Sequence, residues 1–396
     1  MTDATFDAGV SGVPVRWSAS TWMSVVSMAA ATFALVSAEF LPAGLLTPMA
    51  ADLGISEGTA GQVVTATATV GAIAALFANV AIGRLNRKTV LVALSALAVV
   101  SNLVAAFATD FWILLLARAG LGIALSGFWS LSAAVVARLV GVSALGRGMS
   151  IIFIGVSLAT IAAPSIGALI SDWIGWRAAM TATAVAAVLA MLLQAVSLPS
   201  LPASESNSLF EVFRLTARRG VQLGMLAILL VVTGHFSAFV YVRAYLEQVT
   251  VLPASLVALA LLGYGVASVV GNVVGGKMAD TNVRTALIFT ALVLGGAILG
   301  LMLLGSSTVP ALTLVALWGF GFGTAPIVLQ TKVSKEALDA LEASGSLVVV
   351  CFQVAIALGA VIGGQLVDVQ GVASALLFAG IVALLAIPVA LGSRRS

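Results

Sequence analysis

Charge is what this sequence has least of, and cysteine and histidine are nearly absent. Only 8% of its 396 residues are Asp, Glu, Lys or Arg, against about 25% in an ordinary soluble domain. With 61% apolar residues and a mean hydropathy of +1.18, a water-soluble globule is excluded and the chain belongs in a bilayer. One cysteine, Cys351, leaves no disulfide framework and no thiolate metal site. No His/Cys metal spacing, phosphate-binding loop or sizeable extramembrane domain is present, which argues against an enzyme or a sensor and implies neither metal nor cofactor. The regular polar/apolar alternation of a membrane barrel is missing too, so the spans are helices.

What is present is a series of long apolar runs. A helical span needs roughly 20 mostly apolar residues, and twelve can be marked off near 20–46, 59–82, 89–108, 111–137, 149–171, 177–198, 222–246, 255–278, 285–305, 308–331, 343–367 and 372–392. The expected fold class is therefore an all-α membrane protein of twelve transmembrane helices in two six-helix halves. The divisions are a tail (1–19), a first half (20–198), a linker (199–221), a second half (222–392) and a short tail (393–396). The first run, of about 26 residues, is long for a signal-peptide core and reads as a retained helix. In the linker, Leu209, Phe210 and Phe213 share a helical face ahead of Arg218 and Arg219. A short helix on the membrane surface is the expected form, an unstructured linker the alternative.

The net charge of +3 carries no implication of nucleic-acid binding, because basic residues in a membrane protein report orientation. Arg16, Arg84, Arg87, Lys88, Arg138, Arg147, Arg214, Arg218, Arg219, Lys277, Arg284, Lys332, Lys335, Arg394 and Arg395 fall on one side, and only Arg177 and Arg243 on the other. Both termini are expected in the cytoplasm.

The two halves are copies. Ile166-Gly167-Ala168-Leu169-Ile170-Ser171-Asp172 returns 196 positions later as Ile362-Gly363-Gly364-Gln365-Leu366-Val367-Asp368, and Asn79-Val80-x-x-Gly83 returns as Asn272-Val273-x-x-Gly276. Parallel repeats of this kind suit a transporter whose halves rock about a central site. Helices five and eleven, carrying Gly167 and Gly363, are expected to form the close-packed pivot between them.

Glu39, Arg118 and His235 are the ionisable residues well inside spans, and such residues usually face an aqueous cavity and mark function. At 1.5 Å per residue they lie about 13, 12 and 18 Å from their outer helix ends. Glu39 and His235 are 196 positions apart, so they are equivalents in the two copies and are expected to face each other as a proton-coupling pair modulated by Arg118. A purely structural Glu39–Arg118 pair and a packing role for His235 are the alternatives. Trp129 lies on the same helical face as Arg118, eleven residues on. With Phe128, Phe236, Phe239 and Tyr241 it could offer flat surfaces to a ring-shaped substrate, unless these aromatics face lipid or fill a core. Asn79, Asn272, Gln330 and Gln353 could instead serve a sugar.

These residues resemble the major facilitator superfamily, in particular its twelve-helix drug/proton antiporter branch. Gly83-Arg84-Leu85-Asn86-Arg87-Lys88 and Gly276-Lys277-Met278-Ala279-Asp280 resemble the family's cytoplasmic loop motif and its repeat, which implies gating roles for Gly83, Arg87 and Asp280. Arg118-x-x-x-Gly122 resembles the helix-four motif linked to proton transfer. Gly155, Pro164 and Gly167 resemble the helix-five antiporter motif, with Ala163 and Ala168 in place of glycines. Glu39-Phe40-Leu41-Pro42, Gly127-Phe128-Trp129 and Ile174-Gly175-Trp176-Arg177 are similar to bacterial purine ribonucleoside efflux pumps, whereas Gly234-His235-Phe236 resembles sugar-efflux permeases. The resemblance implies a monomeric inner-membrane exporter, driven by the proton gradient, that exchanges protons for purine nucleosides. Export of a sugar such as arabinose, or of an amphipathic drug, is the alternative.

Overall fold

The computed structural model describes residues 17–83, 85–141, 144–202 and 209–392. The tail through Arg16, Arg84, linker residues 203–208, and Arg394 and Arg395 lie outside the described residues, as do the side chains of Asn79, Leu209 and Phe210. The first half contains α1 (Ala19–Phe40), α2 (Pro42–Leu53), α3 (Glu57–Ile82), α4 (Arg87–Ala106), α5 (Phe111–Val140), α6 (Leu145–Ile174) and α7 (Trp176–Ser197). After α8 (Leu209–Leu215) in the linker, the second half contains α9 (Arg219–Phe239), α10 (Val242–Gln248), α11 (Ala254–Thr281), α12 (Val283–Leu304), α13 (Thr308–Lys335), α14 (Leu341–Gln370), α15 (Val372–Leu384) and α16 (Ala386–Gly392). Twelve helices are long and apolar enough to cross a membrane, and no strand occurs among the described residues.

Polar side chains fix several of the helix starts. Ser18 caps α1 by accepting from the Thr21 amide, Asp110 caps α5 through the Trp112 and Ile113 amides, and Asn282 caps α12 through Thr285; each such cap is worth about 1 kcal/mol. Many large apolar residues are exposed along the helices, as a lipid-facing surface requires. Trp112 and Trp173 ring the end opposite the termini, where amphipathic rings sit at the membrane interface. In α8, Val212 and Leu215 are buried and Phe213 is exposed.

Three expected spans are interrupted, the twelfth at Leu385 between α15 and α16, and the first and seventh at corresponding places of the two halves. The first breaks between α1 and α2 at Leu41, because Pro42 has no amide hydrogen to continue the helical ladder. The seventh breaks between α9 and α10, where the Tyr241 amide bonds Ala238 three residues back. Packing repeats with the sequence: α1 on α6 and α9 on α14, α3 on α5 and α11 on α13, α4 on α7 and α12 on α15.

The pivot differs from expectation. Helices α6 and α14 do not meet in a major contact; each crosses onto the other half, α6 on α11 and α14 on α3. Both crossings are backbone-close. A Cβ on Gly265 would lie 2.5 Å from Ile161 Cα, and one on Gly58 2.3 Å from the Gly364 carbonyl oxygen. Small residues permit this approach, so each half holds one such helix and receives the other.

Candidate functional site

A cavity of about 240 Å³ lies between the halves, walled by α1, α5 and α6 on one side and α9, α11, α13 and α14 on the other. Its residues sit at mid-helix and towards the termini. Trp129, Phe153 and Phe40 face it from the first half, and Phe236, Phe322 and Phe352 from the second. Three amides, Asn272, Gln330 and Gln353, three hydroxyls, Ser157, Thr160 and Ser268, and one ionisable side chain, Glu39, supply its polar chemistry. Gln353 Nε2 donates to Ser126 Oγ at 3.2 Å, a hydrogen bond joining the halves at the cavity wall. A larger groove of about 540 Å³ between α3, α4 and α5 is apolar and faces lipid, so it lacks groups with which to recognise a polar substrate.

Glu39 is placed by the helix break. It is the second-last residue of α1, half-buried at the cavity edge, and its carboxylate has no hydrogen-bond or ion-pair partner among the described residues. Arg118, 1% exposed, approaches from α5 but does not ion-pair with it within 4 Å. Arg118 Nη1 donates to the Ala38 carbonyl at 2.7 Å and Nη2 lies 3.9 Å from Met180 Sδ, while Nε is buried without a partner. In an unbroken helix the Ala38 carbonyl would accept from the residue four positions on. That residue is Pro42, and the guanidinium takes the acceptor it leaves open.

His235 does not face Glu39 across the cavity. It is fully buried in a cage of rings: Phe322 stacked at 3.5 Å between centroids, Phe239 at 4.8 Å, Phe236 at its edge, and Tyr264 and Trp318 around it. Trp318 Nε1 donates to His235 Nδ1 at 3.0 Å. The equivalence of positions 39 and 235 fixed their depth, but the rotation of α9 is set by its packing on α14 and α15.

A family model described as the Major Facilitator Superfamily matches residues 28–346. The purine ribonucleoside efflux pump NepI of Shigella sonnei (strain Ss046) is 38% identical over 364 residues, 92% of either chain, and NepI of Escherichia coli (strain K12) gives the same figures. The chain belongs to the major facilitator superfamily. The crystal structure of the human organic anion transporter MFSD10 (TETRAN) shares the fold at a TM-score of 0.67, with 16% identity, over 93% of this chain and 99% of that one. The protein is therefore a multi-pass membrane protein and a small-molecule transporter, not an enzyme.

In this transporter the end opposite the termini is closed by bonds between the halves. Arg243 on α10, 4% exposed, donates Nη2 to Asp172 Oδ1 on α6 at 2.7 Å and Nη1 to the Gly44 carbonyl at 2.6 Å, with Nε on Glu247 at 2.7 Å. Asp368 on α14 accepts from Ser56 Oγ at 2.8 Å and the Gly58 amide at 3.0 Å, and Gln248 bonds Glu57. Asp172 and Asp368 are repeat equivalents, so both copies contribute an aspartate to one seal. Beside it Arg177 pairs with Asp52 and stacks on Trp176, and the guanidinium bond holds the Asp52 carboxyl below the ordinary carboxylate range.

The remaining sequence candidates divide. Trp129 and Phe236 line the cavity, but Phe128, Phe239 and Tyr241 are fully buried and do not. Tyr241 instead donates to the Ala360 carbonyl at 2.9 Å; a Cβ on Gly61 would lie 2.0 Å from its hydroxyl. Gly155, Pro164 and Gly167 bind α6 to the Glu39-bearing span: Cβ atoms at Gly155 and Gly44 would lie 2.3 Å from the Ala29 carbonyl and 2.2 Å from the Pro164 carbonyl, and one at Gly167 2.4 Å from Leu41 Cδ1. Gly83 turns the α3–α4 loop with φ +45°, a conformation suited to glycine. Arg87 closes that loop on the Gly83 and Leu85 carbonyls, and Asn86 caps α4 and receives the Leu201 amide. Asp280 lies exposed in the last turn of α11, on the helix rather than in a loop. Phe153, Phe322 and Phe352 were missed; the row Phe322, Pro326, Gln330, at i, i+4 spacing on α13, was the signal for that wall.

Proposed function

We propose that this transporter exports purine ribonucleosides or close analogues across the bacterial inner membrane in exchange for protons, by alternating access of the central cavity. The observation that carries the reading is Glu39, an unpartnered carboxylate at the edge of an otherwise uncharged cavity that presents rings and amides among its aliphatic and hydroxyl walls. Rings such as Trp129 and Phe322 stack on a planar base, and amides bond the edges of a base and the hydroxyls of a ribose. The 38% identity to pumps named for purine ribonucleosides supports the same substrate class.

A carboxylate that exchanges its proton as the cavity changes sides couples substrate export to the proton gradient without a cofactor. Arg118, fixed on the Ala38 carbonyl, biases that exchange by its charge. Basic residues crowd the face bearing the termini, including Lys88, Arg138, Arg147, Arg218 and Lys335, which supports cytoplasmic termini. With that orientation the seal at Arg243 closes the outside, and the cavity is seen from the inside.

Asn272, Gln330 and Gln353 in the cavity favour the sugar reading, as does the resemblance of Gly234-His235-Phe236 to sugar-efflux permeases. Uptake of labelled inosine, guanosine and arabinose into everted membrane vesicles under an imposed pH gradient separates the two. Gradient-driven accumulation of the nucleosides is expected; accumulation of arabinose alone would replace this reading with sugar efflux.

A further inference from the structure

His235 is the repeat equivalent of Glu39, yet it does not line the cavity and meets it through two wall rings, Phe236 at its edge and Phe322 on its face. The imidazole lies parallel to the Phe322 ring, 3.5 Å between centroids and 10° between planes, and Phe322 is a cavity wall. Its two nitrogens are both engaged: Nδ1 lies 3.0 Å from Trp318 Nε1, and Nε2 lies 3.4 Å from the Tyr264 hydroxyl.

An indole N–H can only donate. Nδ1 is therefore the unprotonated acceptor, and the single ring proton sits on Nε2, facing Tyr264. A second proton would set two N–H groups against each other at Trp318, inside a cage with no solvent exposure at His235. Of the rings packed around it, Phe236, Phe239, Tyr264, Trp318 and Phe322, only Tyr264 can titrate, and it faces the nitrogen that already carries a proton. Among the described residues no carboxylate, on α9 or on the helices packed against it, hydrogen-bonds or ion-pairs with the ring, so no such partner offsets an imidazolium charge there.

We infer that His235 is a proton-silent positioning residue, held neutral by Trp318, which sets the plane of Phe322 and through it the fit of a flat substrate. The duplicated position has thus split its tasks, with proton exchange assigned to Glu39 and cavity shape to His235. The transport part of this inference rests on the proposed nucleoside export; the protonation part does not.

Because His235 is the only histidine of the chain, protein labelled with 15N-histidine and purified without a histidine tag gives a single imidazole spectrum. The expected result is the neutral Nε2–H tautomer, unchanged between about pH 5 and about pH 8, where an ordinary histidine changes charge. An imidazolium signal, or the Nδ1–H tautomer, overturns the inference, and the wild-type spectrum does not depend on any variant folding. In vesicles, His235→Leu is expected to raise the inosine KM about tenfold, the upper range for one lost ring stack. His235→Phe, which keeps a ring against Phe322, should restore most of that loss, and both variants should retain the wild-type pH profile and maximal rate. A displaced pH profile with KM unchanged would make His235 a proton carrier instead. Wild-type vesicles that take up no inosine would remove the proposed substrate while leaving the spectrum to decide the protonation of His235.

Discussion

Arg118 donates Nη1 to the carbonyl oxygen of Ala38 at 2.7 Å, and that oxygen is free because Pro42, four residues on, has no N–H to give it. One missing hydrogen thus joins a helix break, a buried arginine and the backbone beside Glu39. Restoring it has consequences of opposite sign. Pro42→Ala supplies an amide that competes with Arg118 for the Ala38 carbonyl and lets α1 run on into α2 with one more backbone hydrogen bond, worth about 1 kcal/mol; proline at the first position of α2 is itself tolerated. Thermal unfolding in detergent should move to higher temperature while inosine transport falls severalfold. Unchanged transport would detach Arg118 from the mechanism.

The seal opposite the termini predicts an accessibility change. Arg243→Gln removes the partner of Asp172 and Glu247, and breaking a largely buried ion pair costs about 3–5 kcal/mol, less here because both carboxylates are partly exposed. The closed arrangement should lose population. A cysteine introduced by Phe40→Cys, in a Cys351→Ala background, should react at least about tenfold faster with an impermeant maleimide added at the sealed face. Equal rates with and without Arg243 would show that this cluster does not hold the face shut.

Close crossings between the halves can be tested with one chemical change at two sites. Gly265→Ala puts a methyl 2.5 Å from Ile161 Cα, backbone that has little room to yield, and overpacking costs about 1–3 kcal/mol. Gly296→Ala meets nothing within 4 Å and gains up to about 1 kcal/mol of helix propensity. The melting temperature should fall in the first variant and hold or rise in the second.

Much of this architecture was legible in the sequence, because hydropathy and the internal repeat are local, periodic signals. The twelve spans follow from them, whereas the breaks at Leu41 and Tyr241 fall inside runs read as continuous; Pro42 marks the first, and the second has no proline to announce it. Depth was legible as well: Glu39, Trp129, Phe236, Asn272, Gln330 and Gln353 all reach the cavity. Rotation was not. Whether an aromatic at a given depth faces substrate or a neighbouring helix depends on how that helix is turned by close crossings such as Gly271 on Phe320 and Gly363 on Ser237. Those contacts join residues far apart in sequence, which is why Phe128, Phe239, Tyr241 and His235 turned inwards and Phe322 and Phe352 outwards.

Acid stability follows from carboxylates outside the membrane. The Arg218 fork on Asp339, with both N–O distances 2.6 Å, holds the Asp339 carboxyl down at about 2, and Arg177 lowers Asp52. Both groups have folded-state values below their unfolded ones. Their contribution is present above about pH 4 and is lost as pH falls through the folded values. The melting temperature should be flat from about pH 7 to about pH 5 and decline below about pH 4, with a shallower decline in Asp339→Asn and Asp52→Asn. An equal decline in both variants would assign acid sensitivity to other groups.

The central claim is that Glu39 carries the proton exchanged for substrate, and the most direct test separates substrate movement from its driving force. Everted vesicles bearing wild-type protein or Glu39→Gln are loaded with unlabelled inosine, and labelled inosine is followed with and without an imposed pH gradient. The account predicts that Glu39→Gln still exchanges inosine for inosine but no longer accumulates it in response to the gradient. Gradient-driven accumulation that survives intact in Glu39→Gln would contradict it.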